Sequence, residues 1–335
     1  MKPHGNPTLE DVAKLAGVST ATVSRCINLP DRVVEKTHKK VSDAIEKLGY
    51  TPNFGARVLA ANRTFTIGTV IPTMENAIFA RGIQAFQEEL HQQRYTLLVS
   101  SSLYSPEVEK EQIRNLVARG AEGILLIGHE RDQSVYDYLR MQNVPVLIAW
   151  SFSRNSPVQS VGFDNHTSMS LLAQKVIERG HRQIGMISGI IKGNDRALQR
   201  LNGIKHSMSK HALDPAELTV IESPYVIESA AKAFEELMKL PKPPSVVMCG
   251  NDVLAVGAIK KAQEMGVRIP EDVSITGFDD IELASLVTPQ LATVHVPHRE
   301  MGRKAAVELV KLVENRSTGR SIELSTVIHL RKSLA

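Results

Sequence analysis

Residues Thr8–Asn28, TLEDVAKLAGVSTATVSRCIN, read as two short helices joined by a tight turn at Ala16-Gly17-Val18. Thr8 stands where it can cap the first helix, with Asp11 three residues on to reach back as in a capping box. Val12, Leu15 and Ala16 fall at spacings that form one apolar face. Gly17 supplies the left-handed backbone that such a turn needs, and Ser19 is placed to cap a second helix presenting Thr20, Ala21, Ser24, Arg25 and Asn28. Short polar side chains at a helix N-terminus fit the DNA major groove: Ser and Thr bond base edges or phosphates, Ala meets a thymine methyl, and Arg binds guanine through two bonds. The pattern is a helix-turn-helix, and its expected partner is double-stranded DNA.

Outward from this motif, Glu35–Leu48 forms a third helix with Val41, Ile45 and Leu48 inward, Lys36, Lys39, Lys40 and Lys47 outward, and Gly49 to close it. The order Val18-Ser19, Thr22-Val23-Ser24-Arg25, Asn28, Leu48-Gly49-Tyr50 and Pro52-Asn53 resembles the amino-terminal signature of the lactose/galactose repressor (LacI-type) family of bacterial regulators, and the resemblance runs end to end. Members usually carry Ser where Val34 precedes the third helix, so a cap is expected to be missing here. The resemblance implies a DNA-binding head over residues 1–51, with Thr8 and, just beyond it, Asn53 joining the contact set. It also implies a hinge helix or linker over 52–63. There, in the stretch PNFGARVLAA, Leu59 matches the apolar wedge that paired hinge helices of a homodimer insert into the minor groove.

The charge distribution points the same way. The chain has 335 residues and a formal net charge of +4, and residues 1–63 hold ten Lys and Arg against six acids, so the whole excess lies in the segment carrying the motif. That is the electrostatic footprint phosphate contacts require. Cys26 and Cys249 are far apart and in no metal-ligand spacing, which argues against a disulfide framework or a zinc site. No apolar run of about 18 residues and no secretory leader is evident, so no membrane partner is expected and the location is expected to be cytoplasmic, at the nucleoid.

From Phe65 onward apolar runs alternate with amphipathic helical stretches. Strands are expected at 66–71, 95–100, 123–128, 144–149, 183–188, 218–223, 245–250 and 273–278. Their apolar character predicts parallel strands buried on both faces, hence a doubly wound α/β class. So many units exceed one sheet, and ATVHVPHREMG, ahead of a helix through Asn315, reads as a crossing back between two lobes. The resemblance implies a two-lobed periplasmic-binding-protein-like core over 64–335, for effector binding and dimerisation.

In such sheets ligands bind beyond the carboxyl ends of the strands. The polar and aromatic residues there include Asn76, Phe79, Trp150, Phe163, Asn251 and Asp279, with Arg200 on a following helix. Asn and Asp ahead of a helix also serve as caps. The resemblance implies that Arg200 grips effector, that Asn251 and Asp279 bond ligand hydroxyls, and that Phe79 walls the cleft. Arg with carboxylate and amide groups suits a hydroxylated ligand, a small sugar or sugar acid. Similarity of VGFDN, NDVLAVGA and REMG to gluconate-type repressors favours a sugar acid.

No G-x-G-x-x-G after a strand, no phosphate-loop Lys motif and no G-x-S-x-G occurs, so no catalytic residue and no cofactor is expected. His295 and His298, in HVPH, have no carboxylate at metal-binding spacing and read as part of the crossing segment. The expected function is therefore a homodimeric, sequence-specific transcription regulator of repressor type on a pseudo-palindromic operator. The alternatives are a transport-type sugar-binding protein without operator function and a sugar-modifying enzyme on the same scaffold.

Overall fold

The computed structural model describes residues 6–28, 32–51, 55, 63–75 and 77–335, and the chain divides into two compact units, Met1–Thr64 and Phe65–Ala335. In the first unit, α1 (Leu9–Ala16), α2 (Thr20–Asn28) and α3 (Glu35–Leu48) close around Val12, Ala13, Val23, Cys26, Val41 and Ala44. The capping box is present: Thr8 Oγ1 accepts from Asp11 N and Asp11 Oδ2 accepts from Thr8 N. The Thr8 hydroxyl and backbone N–H both donate to Asp11 Oδ2, and these two bonds hold the Asp11 carboxyl below its ordinary pKa. Gly17 ends α1 at φ 66° and Gly49 ends α3 at φ 61°, the left-handed conformation in which a Cβ is strained. Ser19 Oγ accepts from Thr22 N at the start of α2. One expectation shifts: Leu15 is 45% exposed, and Ala13, beside Val12, takes its place in the core.

The second unit is built on two parallel sheets. The first has the order β2-β1-β3-β4-β5-β11, from β1 (Thr66–Ile71), β2 (Thr96–Ser101), β3 (Gly123–Ile127), β4 (Val146–Ala149), β5 (Ser160–Gly162) and β11 (Ile322–Glu323). The second has the order β7-β6-β8-β9, from β6 (Ile184–Ser188), β7 (Thr219–Glu222), β8 (Val246–Cys249) and β9 (Ser274–Thr276). Every neighbouring pair in both sheets is parallel. All eight expected strands form, each within two residues of its expected ends. The edge strands β2 and β7 are half exposed and so depart from the expected burial on both faces. The two- and three-residue strands β5, β11, β10 (Thr293–His295) and β12 (Val327–His329) are too short to stand out as apolar runs.

The crossover helices are α4 (Ala77–Gln92), α5 (Pro106–Ala118) and α6 (Gln133–Met141) in the first lobe, then α7 (Asn165–Glu178), α8 (Asp195–Lys210), α9 (Ile227–Met238), α10 (Asp252–Glu264) and α11 (Glu282–Leu286) in the second. The chain passes between lobes after β5, between β10 and α12 (His298–Val313), and between β11 and the antiparallel partner of β10, β12. The expected crossing at ATVHVPHREMG is thus β10 and the start of α12. In both sheets the connection order reverses beside the first strand, between β1 and β3 and between β6 and β8. This is the switch point at which a crevice opens beyond the strand ends.

Candidate functional site

Residues beyond the strand ends of both sheets line one cavity, and Arg200, on α8, reaches it while only 5% exposed. Its Nε donates to Asn165 Oδ1 at 2.9 Å and its Nη1 to Gly250 O at 2.6 Å, while Nη2 lies 3.6 Å from Asp279 Oδ1. The guanidinium carbon stands 3.8 Å from the centre of the Phe278 ring, a cation–π stack. Every donor group of this buried cation is therefore aimed by a different element. Asn251 Oδ1 caps α10 by accepting from Leu254 N, so the cap reading is correct for half of its amide. Its Nδ2 and both carboxylate oxygens of Asp279 are buried and make no hydrogen bond. Asp279 is also held at φ 103°, a strained backbone for a residue with a Cβ. Buried acceptors and a donor without a hydrogen bond, beside an immobilised Arg, are a cost unless a ligand meets them.

Phe79, Trp150, Arg200, Asn251 and Asp279 line one narrow cavity of about 20 Å³, together with Ile78, Arg196, Tyr104 and Tyr225. Trp150 is both wall and core: it meets Phe79 edge-on at 5.5 Å, and its ring fills the space a Cβ at Gly82 would need. Its Nε1 donates to His298 Nδ1 at 3.2 Å, which leaves the proton on His298 Nε2 to donate to Asp279 O at 3.2 Å. Burial pushes the His298 pKa down, so the ring stays neutral in this relay. Phe163 is fully buried one layer back, stacked on Phe278 at 5.9 Å, and supports the Arg200 platform without lining the cavity. The cleft residues not singled out from sequence are Ile78, Tyr104 and Tyr225. Tyr104 and Tyr225 pack 5.6 Å apart across the two lobes, beyond the carboxyl ends of β2 and β7, where the strand-end rule applies to them as well.

At the N-terminus of α8 the lobes are latched. Asp195 Oδ2 accepts from His129 N at 2.8 Å and Ser151 Oγ at 3.2 Å, and Arg196 Nη1 donates to Ile127 O at 3.0 Å. A Cβ at Gly128 would stand 2.0 Å from Arg196 Nη1. A second lobe-to-lobe contact joins Arg81 on α4 to Glu282 on α11.

In the first unit, Thr8, Ser19, Thr20, Ala21 and Arg25 are exposed and Ser24 is half-buried. Arg25 folds back to donate from Nε to Ala21 O at 3.3 Å. Asn28 ends α2; its side chain, with Asn53, Leu59 and Asn76, lies outside the described residues.

Residues 8–53 match the model of bacterial regulatory proteins of the lacI family, and residues 173–334 match a periplasmic binding protein-like domain. The chain is 31% identical to catabolite control protein A of Priestia megaterium, covering 98% of this chain and 99% of that one. It is 32% identical to the HTH-type transcriptional repressor PurR of Aliivibrio salmonicida, over 98% of each. The chain belongs to the LacI family. Its fold agrees throughout: the lac repressor dimer bound to operator and the anti-inducer ONPF superposes with a TM-score of 0.87 at 26% identity, over 98% of this chain and 99% of that one. This LacI-family protein is a DNA-binding transcriptional regulator of repressor type, as its relatives are, and not an enzyme. Among its described residues no helix is long and apolar enough to cross a membrane.

Proposed function

We propose that this LacI-family repressor acts as a homodimer on a pseudo-palindromic operator in the cytoplasm, at the nucleoid, and answers to a small sugar or sugar acid held between its lobes. The observation that carries the ligand class is the pairing of unsatisfied, buried Asp279 oxygens and Asn251 Nδ2 with the fixed Arg200 guanidinium. Hydroxyl groups donate to the carboxylate and accept from the amide, and a ligand carboxylate would add a partner for Arg196 or Arg200. Aromatic walls on both lobes suit the apolar faces of a sugar ring. A cavity of about 20 Å³ holds roughly one water, so effector entry requires the Asp195–Arg196 latch to open.

Ligand changes the angle between lobes, and in a dimer this changes the separation of the two segments over 52–63, so both form helices and insert Leu59 together or neither does. The contact set on DNA is Thr8, Ser19, Thr20, Ala21, Ser24, Arg25, Asn28 and Asn53. The deciding experiment is operator binding by the full-length protein to its own upstream DNA at stated salt, with and without a panel of sugars and sugar acids. Tight binding to a palindrome that one such ligand weakens or strengthens supports the reading. Binding indifferent to sequence, or to the whole panel, overturns it.

A further inference from the structure

On the far side of the turn that carries Asp279, three side chains of metal-ligating type from separate segments converge where the chain crosses between lobes. Asp280, in the turn after β9, places Oδ2 2.9 Å from His295 Nδ1 on β10 and 3.2 Å from His329 Nδ1 on β12. In the β10–β12 ladder His295 pairs with Val327 and His329 with Thr293, so the two histidines sit diagonally on one face of the ribbon. Their rings stack with centroids 5.3 Å apart. Asp279 at φ 103° and Asp280 at φ 55° send consecutive carboxylates to different partners, one to Arg200 in the cleft and one to the histidines. Sequence spacing gave no sign of it, because the carboxylate lies 15 positions from His295 and the second imidazole comes from the end of the chain.

We propose that Asp280, His295 and His329 bind one divalent transition-metal cation of the Zn²⁺ or Ni²⁺ type. Two imidazole nitrogens and one carboxylate oxygen are the donor set such borderline cations prefer over Mg²⁺ or Ca²⁺. With metal–ligand bonds of roughly 2.0–2.1 Å, the ligand atoms of a tetrahedral site lie roughly 3.3 Å apart, close to the two separations found. The histidine side chains are 41% and 40% exposed, which leaves the open side for water ligands. Arg331 supplies an outer partner. Its Nη2 holds Asp280 Oδ1 at 2.7 Å and thereby turns Oδ2 toward both rings. The same nitrogen stands 3.2 Å from His329 Nδ1, a contact that metal binding replaces. The guanidinium charge weakens the site, so micromolar rather than structural affinity is expected.

A cation there ties the turn bearing Asp279 to both strands that cross between lobes, and so stiffens the hinge beside the cleft. Full-length protein stripped by chelator and then titrated with ZnCl₂ by calorimetry tests this. The expected result is one Zn²⁺ per chain and a Tm that rises with metal concentration. His295→Gln and His329→Gln each weaken binding by more than the roughly 10–100-fold that loss of an outer partner costs. His91→Gln, on the exposed face of α4, leaves it intact. The two test substitutions lie on different strands, so either one that keeps the wild-type circular dichroism spectrum is decisive. The proposal is overturned if no saturable binding occurs, or if binding survives in such a variant.

Discussion

Arg200 shows how much of the cleft rests on one side chain. Arg200→Ala leaves the buried Asp279 carboxylate without the guanidinium 3.6 Å away, and loss of one partner from a buried pair costs about 3 kcal/mol. Urea denaturation should show that loss, and operator titrations should show DNA binding retained without effector and the effector response abolished. A full response at wild-type effector concentrations would remove Arg200 from the ligand set. Arg200→Lys is no conservative rescue, since one ammonium cannot reach Asn165 and Gly250 O together and also stack on Phe278. At this scale the sequence was partly legible. Asn251 and Asp279 follow strands in an open α/β sheet, and so fall where a crevice is expected. Phe163 follows a strand too, yet faces the layer beneath, because strand position alone does not tell which way a side chain turns. The Asp280 cluster was invisible for a different reason: its members meet only through the ribbon of β10 and β12.

Helix ends and helix contacts were unequally legible. The Thr8–Asp11 box and the Gly17 and Gly49 stops rest on local chemistry, so sequence spacing was sufficient to place them. The missing cap at Val34 was equally plain: the residue is 75% exposed and makes no side-chain cap bond to α3. Val34→Ser should therefore stabilise the first unit by about 1 kcal/mol, read as a higher Tm of the head, and no change would mean that water already satisfies those amides. The approach of α4 to α12 could not be read in advance, since it depends on two glycines 220 positions apart: a Cβ at Gly302 would stand 2.0 Å from Gly82 O. Gly302→Ala must push the helices apart, at about 1–3 kcal/mol or more. Because α4 also carries Ile78 and Phe79, denaturation midpoint and effector affinity should fall together, and a variant that lost neither would show that the helices slide freely.

Across the whole molecule, proton uptake sets opposing demands on stability. Burial lowers the pKa of His129, His181 and His298 from 6.5, so below about pH 6.5 the unfolded chain takes up protons that these rings resist in the native state. Their contribution is present above the unfolded value and is lost as pH falls through it. Asp252 works in the other direction. It is fully buried where α10, the Asp280 turn and β10 meet, with Thr293 Oγ1 2.6 Å from Oδ1 and Ile281 N donating to Oδ2 at 2.8 Å. Burial, reinforced by nearby Asp279, raises its pKa well above 3.8, so the native state keeps a proton that the unfolded chain releases, and stability falls as pH rises through that window. The two trends predict a stability maximum, with Tm rising from pH 5.5 toward neutrality on the histidine limb and declining where Asp252 dominates. An amide can donate to Thr293 Oγ1 and accept from Ile281 N, so Asp252→Asn should preserve the fold and remove the declining limb, leaving Tm to rise more steeply with pH. A variant whose Tm profile parallels the wild type from pH 5.5 to 8 would show that Asp252 is ionised in the native protein, and that Thr293 and Ile281 alone offset its burial.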